Sequence, residues 1–241
     1  MRKCISFCQL ALLLVLLLWS SSACAWAFEY RYKLHPSRRL EMCDLYLENL
    51  NSLDELSAIC DRKMTGIESN GFLRLKWEDI DLRTNKNLAG KLYKFFTHGD
   101  QNYNDNSWLP MLMNEASRGL SDAKKTTIDI DNDGTIETVV LFRRGLCGIS
   151  KVFYRSLAIL TKNLDEIDYN ETEPLLQNPA GDDLINIRIL AQGGSLGQVY
   201  DVFLYKGRYY FDKYEESRRR VVVYEILDNM PDVVCTYELK R

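Results

Sequence analysis

The run Asp129-Ile130-Asp131-Asn132-Asp133-Gly134-Thr135-Ile136-Glu137 carries the clearest chemistry in this chain. Carboxylates stand at positions 1, 3, 5 and 9 of the run, with a glycine at position 6. Calcium takes about six to eight oxygen ligands. Acids at alternating positions of a tight loop can turn their oxygens inward, while glycine permits the sharp turn and the seventh residue offers a backbone carbonyl. The plainer alternative is an ion-free turn, because Asn132-Asp133-Gly134 is a turn signal by itself. Turn chemistry alone does not account for so dense a set of acids, which repel one another unless a cation lies between them. We therefore expect a bound calcium ion. An EF-hand is excluded, since position 12 is Val140, where that loop needs a bidentate glutamate.

Strands must hold this run in place. Thr126-Thr127-Ile128 before it and Thr138-Val139-Val140-Leu141-Phe142 after it are β-branched and aromatic, so the cage is a strand-to-strand connection. A D-x-D-x-D-G-x-x-D/E loop running into an apolar strand resembles the calcium loops of FG-GAP and VCBS-type repeats, as found in integrin α-chain propellers and many secreted bacterial proteins. The resemblance covers nine residues and one strand of the 241. It implies side-chain ligands from Asp129, Asp131, Asp133 and Glu137 and a carbonyl ligand from Thr135. Glu137 departs from those repeats, which more often carry aspartate there, so the last ligand reaches differently. The loop has no second copy in the sequence, and a propeller built from such repeats is not expected.

Catalytic patterns are weaker. Gly193-Gly194-Ser195-Leu196-Gly197 matches the G-x-S-x-G elbow of serine hydrolases. That elbow needs a helix after the serine, whereas Gln198 to Tyr205 reads as a strand. Its histidine should follow the serine, whereas His35 and His98 both precede it. A glycine-rich hairpin connection is the better reading. His98, at a helix end, caps carbonyls or faces water. Glu78, Asp79 and Asp81 beside Trp77, and the pair Asp182-Asp183, read as solvated loop acids, because nothing in the sequence fixes a carboxylate separation. Asn170-Glu171-Thr172 is a glycosylation acceptor only in a eukaryotic source. No catalytic residue is assigned.

Arg2 and Lys3 precede the apolar run Leu10 to Trp19, which small residues follow; this is the three-part plan of a secretory signal peptide. The run is about half of the roughly 20 residues a membrane-spanning helix needs, and no transmembrane span is expected. Residues 1–25 are read as the signal peptide, with cleavage after Ala25 or Ala27. Lipid attachment at Cys24 and an uncleaved anchor are the alternatives. Of the seven cysteines, Cys43, Cys60, Cys147 and Cys235 lie beyond that segment. An even set in an oxidising compartment reads as two disulfides, with three possible connectivities. The expected pairing joins Cys43 to Cys60 within a local helical pair, and Cys147 to Cys235, tying a loop after the calcium strand to the last strand. There is no C-x-x-C, and two histidines beside widely spaced cysteines make no convincing zinc site.

The formal net charge is −3, and loss of Arg2 and Lys3 would leave the chain more acidic. Nucleic acid is not an expected partner, because no basic stripe with stacking aromatics is present. Arg218-Arg219-Arg220 follows Glu215-Glu216 and reads as a solvated hairpin end. Apolar residues at spacings of three and four from Arg38 to Asp61 predict two short helices broken around Asn49 to Ser52, with further helices over Asn87 to Phe96 and Trp108 to Leu120. Strands are predicted from Thr126 to Ile130, Thr138 to Arg143, Val152 to Leu160, Leu184 to Ala191, Val199 to Tyr205, Arg208 to Asp212, Arg220 to Leu227 and Val233 to Leu239. Lys206-Gly207 joins two of them as a tight hairpin. The expected fold is α+β, in which a helical N-terminal part, residues 26–121, covers a mainly antiparallel β-sheet from residues 122–241, together one domain. The expected function is an exported, non-catalytic module, periplasmic or extracellular, bound to an envelope component or another exported protein. A secreted hydrolase using acids such as Asp79 and Asp81, between helical layer and sheet, is the alternative.

Overall fold

The structure is a computed structural model that describes residues 31–35, 40–62, 70–97, 108–146, 153–172, 176, 196–215, 218–228 and 230–240. Along the chain run β1 (Arg31–Leu34), α1 (Glu41–Ser52), α2 (Glu55–Cys60), β2 (Phe72–Leu73), β3 (Glu78–Ile80), α3 (Lys86–Thr97), α4 (Trp108–Ser117), β4 (Ser121–Ile128), β5 (Glu137–Arg144), β6 (Phe153–Leu160), α5 (Tyr169–Thr172), β7 (Leu196–Tyr205), β8 (Arg208–Glu215), β9 (Arg220–Leu227) and β10 (Met230–Lys240). The strands form one sheet in the order β1-β10-β9-β8-β7-β6-β5-β4-β3, with β2 added beside β7. Residues 31–240 form one compact unit.

Among the described residues every strand pairing is antiparallel except β6 with β7. That parallel ladder is short, with Phe153 opposite Leu196 and Arg155 opposite Val199. Farther along β7 the partner becomes β2, with Leu73 opposite Leu204 and Phe72 opposite Tyr205. The β7–β8 hairpin closes through Lys206 and Gly207, both at positive φ, the conformation that a two-residue turn needs to match strand twist.

The sheet corrects the division into a helical N-terminal part and a strand-rich remainder. β1, β2 and β3 all come from residues before 122, and β1 and β3 form the two ends of the strand order. They are two to four residues long, too short to show a period of two, and their partners come from β10, β7 and β4. Tertiary pairing, which local pattern does not record, creates them.

Helix positions follow the apolar stripes. On α1 the buried residues Met42, Cys43, Tyr46, Asn49 and Leu50 recur at helical spacing and make one face. The break between α1 and α2 falls at Leu53 and Asp54, both extended. Asp54 then caps α2, accepting from the Ser57 backbone N–H at 2.9 Å. In α3, Leu88, Ala89, Leu92 and Tyr93 join Leu112 of α4 over Val140, Phe142 and Ala158 of the sheet. A second core gathers Val139, Leu141, Leu157 and Ile159 with Tyr200, Val202, Phe211 and Tyr224. Alternation along β5 thus sends even-numbered residues to the first core and odd-numbered ones to the second.

The disulfides also correct the expected pairing. Cys43 is bonded to Cys235, with Cα atoms 5.8 Å apart. The physical reason is the direction of the α1 stripe: Cys43 faces β10, and the Tyr237 hydroxyl donates to the Cys43 carbonyl at 2.9 Å. Cys60, at the end of α2, is itself in a disulfide, so neither Cys43–Cys60 nor Cys147–Cys235 forms. Cys147 lies outside the described residues. The expected strand from Leu184 to Ala191, His98, Asp182-Asp183 and Ser195 also lie outside them.

Candidate metal centre

Two isoleucines set the geometry of the acidic run. Ile128 ends β4 opposite Glu137, the first residue of β5, and Ile128 and Ile130 are both buried in the second core. With these two side chains anchored inward, the intervening and following residues, Asp129 and Asp131, are turned the other way. Asn132 and Gly134 then take positive φ values of 62° and 90°, which fold the tip back over them.

Hydrogen bonds within the loop hold the acids in place. Asp129 Oδ2 accepts from the Gly134 N–H at 3.1 Å, Asp131 Oδ1 from the Asp133 N–H at 3.2 Å, and Glu137 Oε2 from the Ile130 N–H at 3.0 Å. One carboxylate oxygen from each of Asp129, Asp131 and Glu137 lies within 4.8 Å of the others. This triad can hold a metal ion. Asp133 lies outside the cluster. Its Oδ1 accepts from the Thr135 N–H at 2.6 Å, and hydrogen bonds from Thr135 hold it below the usual carboxylate range. Thr135 itself is exposed at the tip.

The electrostatics of the triad are unfavourable as they stand. Burial pushes the Glu137 carboxyl up, and the Asp131, Asp133 and Asp129 charges push it further, against the opposing Ile130 N–H. Asp129 Oδ1 is buried without a hydrogen-bond partner, as is the Asn132 side-chain amide nitrogen. A buried acceptor left unmade costs about 1–3 kcal/mol. A cation among the three carboxylates would satisfy the orphaned oxygen and remove the repulsion, so the residues fit the group that the spacing implies.

The other acids singled out from the sequence do not converge. Glu78, Asp79 and Asp81 sit on or next to the short edge strand β3, where Glu78 pairs with Lys125 at 3.7 Å, Asp79 with Lys124 at 3.4 Å and Asp81 with Arg83 at 3.1 Å. The residues following Ser195 form β7, a strand where the serine-hydrolase elbow requires a helix. Among the described residues no helix is long and apolar enough to cross a membrane.

Sequence reasoning missed a buried polar cluster under α1 and α2. Arg62 Nε and Nη2 donate to Asp212 Oδ1 at 2.9 and 2.5 Å, Arg62 Nη2 also donates to the Val199 carbonyl at 2.6 Å, and the Tyr46 hydroxyl donates to Asp212 Oδ2 at 2.5 Å. Burial draws the Arg62 guanidinium down, but the Asp212 carboxylate more than offsets it and the net shift is upward. Burial, then the Asp212 charge, pushes Tyr46 well up, so its proton stays in place. The one sequence signal was a pair of charged residues amid the aromatics of Tyr209-Tyr210-Phe211-Asp212-Lys213-Tyr214. Comparison with protein-family models, with curated proteins and with solved structures finds no match to this chain.

Proposed function

We propose that the protein is an exported, non-catalytic binding module, periplasmic or extracellular, that attaches to an envelope component or to another exported protein. Two disulfides and a structural calcium ion hold its sheet. Calcium is favoured over magnesium because calcium accepts a set of loop carboxylates and carbonyls in an irregular shell, whereas magnesium demands a tight octahedron and sheds water reluctantly. Asp129, Asp131 and Glu137 would hold the ion, with Asp133 and the Thr135 carbonyl supplying further oxygens if the tip closes as in the FG-GAP-type loops it resembles.

The observation that carries this reading is Asp129 Oδ1, an acceptor that is buried, unpartnered and set within a carboxylate triad. The Cys43–Cys235 bond supports an oxidising compartment. The competing hydrolase reading rests on Asp79 and Asp81, and those carboxylates are occupied by Lys124 and Arg83 at the sheet edge. Equilibrium dialysis against calcium, with N-terminal sequencing of the protein recovered from the exported fraction, tests both halves. One tightly held calcium and a chain beginning at Trp26 or Phe28 are expected. Absence of bound calcium, or an intact Met1 in the cytoplasmic fraction, would contradict the reading.

A further inference from the structure

A cleft of about 390 Å³ opens on the sheet face formed by β4, β5 and β6, bounded by Trp77 from the β2–β3 link and by Asp61 just after α2. Its volume falls in the roughly 300–1,000 Å³ range of small-ligand sites. No residue of the acidic loop lines it. Across its floor Asp122 stands opposite Arg143, and Arg143 opposite Arg155.

Each charge in this cleft already faces an opposite one. Arg143 Nε donates to Asp122 at 2.9 Å, and its Nη2 donates to the Gly119 carbonyl at 3.1 Å. Arg155 lies 3.5 Å from Asp61 and 3.0 Å from Asp201, and Lys124 lies 3.4 Å from Asp79. An anionic ligand would have to displace one of these carboxylates, and a cationic ligand one of these cations, before it gained a partner. Hydroxyl groups face no such cost. Each both accepts and donates, so it can accept from a guanidinium or ammonium and donate to the neighbouring carboxylate while the pair stays whole. The side chains of Asp61 and Lys124 are 42% exposed, those of Asp122 and Arg143 37% and 30%, so the pairs are open to such contacts. Half-buried Trp77 adds the aromatic surface on which the apolar C–H face of a pyranose ring packs.

We propose that this cleft binds an uncharged saccharide of one or two pyranose rings, stacked on Trp77 and hydrogen-bonded to the Arg143–Asp122 and Arg155–Asp61 pairs and to Lys124. The proposal rests on the reading of the protein as a binding module and supplies the chemical class of what it binds. It does not depend on the calcium loop.

The test is saturation-transfer NMR on the whole protein with N,N′-diacetylchitobiose, maltose and cellobiose as neutral probes and with glucuronate and glucosamine as charged ones. At least one neutral disaccharide should bind saturably with a Kd of about 1 mM or tighter, ahead of both charged sugars. Trp77→Ala and Lys124→Met should each weaken it by at least about fivefold. Lys124 is on the surface and weakly paired, so Lys124→Met decides alone if Trp77→Ala does not fold. Failure of all three neutral probes to bind, tighter binding of a charged sugar, or binding indifferent to Lys124→Met would overturn the proposal. Release of monosaccharide from a bound disaccharide would instead refute the non-catalytic reading and leave the saccharide site standing.

Discussion

Arg62 and Asp212, 150 residues apart in sequence, meet as an ion pair in which each side chain is only 1% exposed. The contact is one of three made by consecutive residues: Cys60 is disulfide-bonded, Asp61 reaches Arg155 on β6, and Arg62 reaches Val199 on β7 and Asp212 on β8. The end of α2 therefore crosses the β6–β7 junction, where the sheet changes from antiparallel to parallel through a short ladder.

Removing one member of a buried pair leaves the other charge unpaired in a low-dielectric site, at a cost of about 3–5 kcal/mol. Arg62→Met should lower the free energy of unfolding by that amount in urea melts at unchanged slope. Tyr46→Phe, Arg62→Met and Asp212→Leu together should recover a large part of it, because both charges of the pair and the hydroxyl bonded to it are removed together. A loss of less than about 1 kcal/mol for Arg62→Met would mean the pair contributes no more than a surface ion pair.

The Cys43–Cys235 bond spans 192 residues, and closing so long a loop restricts the unfolded chain strongly. Cys43→Ala with Cys235→Ala should cost on the order of 4 kcal/mol, read from denaturant midpoints under non-reducing conditions. Peptide mapping of the unreduced protein should find Cys60 linked to Cys147, the remaining cysteine beyond the expected signal segment. A Cys60 link to Cys24 would overturn the cleavage sites assigned here.

Glu115 and Arg144 join α4 to β5 through hydrogen bonds of 2.8 Å from both Nε and Nη2. Burial raises the Glu115 carboxyl, but the Arg144 hydrogen bonds and charge, with the Ser121 hydroxyl, outweigh it and the net shift is downward. A carboxyl whose folded pKa is depressed adds stability above its unfolded value, and that stability is lost as pH falls through the folded one. Glu115→Gln should therefore destabilise at neutral pH by on the order of 1–2 kcal/mol, and the gap from wild type should close below the ordinary glutamate value of 4.5. A gap that is constant from pH 7 to pH 3 would show that the charge is not the source.

Gly134 holds a φ of +90°, and nothing lies within 4 Å of where a Cβ would sit. Any cost of Gly134→Ala is therefore backbone strain and not collision, about 1–2 kcal/mol. If the tip must fold over an ion, calcium affinity should fall with stability. Equal calcium affinity in wild type and Gly134→Ala, measured by calorimetry, would separate the turn from the ion.

The legible parts of the sequence were those where one periodicity acts alone. α3 and the β4–β5 and β7–β8 hairpins follow from apolar spacing and from Lys206-Gly207, and the convergence of Asp129, Asp131 and Glu137 follows from alternation around Ile128 and Ile130. β8 shows where that reading stops. Its expected end at Asp212 reflects a charge unsuited to a buried strand, yet the strand continues to Glu215, with Asp212 compensated by Arg62 from the segment just after α2. Asp133 was grouped with the other acids by spacing, and a local hydrogen bond to Thr135 turns it elsewhere. The Cys43–Cys235 bond depends on how α1 lies across β10, a tertiary fact that spacing within α1 and α2 does not contain.

The central claim is that Asp129, Asp131 and Glu137 bind calcium in the native protein. Calcium that binds only the folded state stabilises it by RT ln(1 + [L]/Kd), about 2.7 kcal/mol at a hundredfold excess over Kd. For a domain of this size that corresponds to roughly 5–10 °C in Tm. The direct measurement is thermal melting in chelator, in millimolar calcium and in millimolar magnesium, for wild type and Asp131→Ala. We predict a rise of that size for wild type in calcium, a much smaller one in magnesium, and none for Asp131→Ala. An identical Tm for wild type in chelator and in calcium would contradict the claim and reduce the loop to an acidic turn.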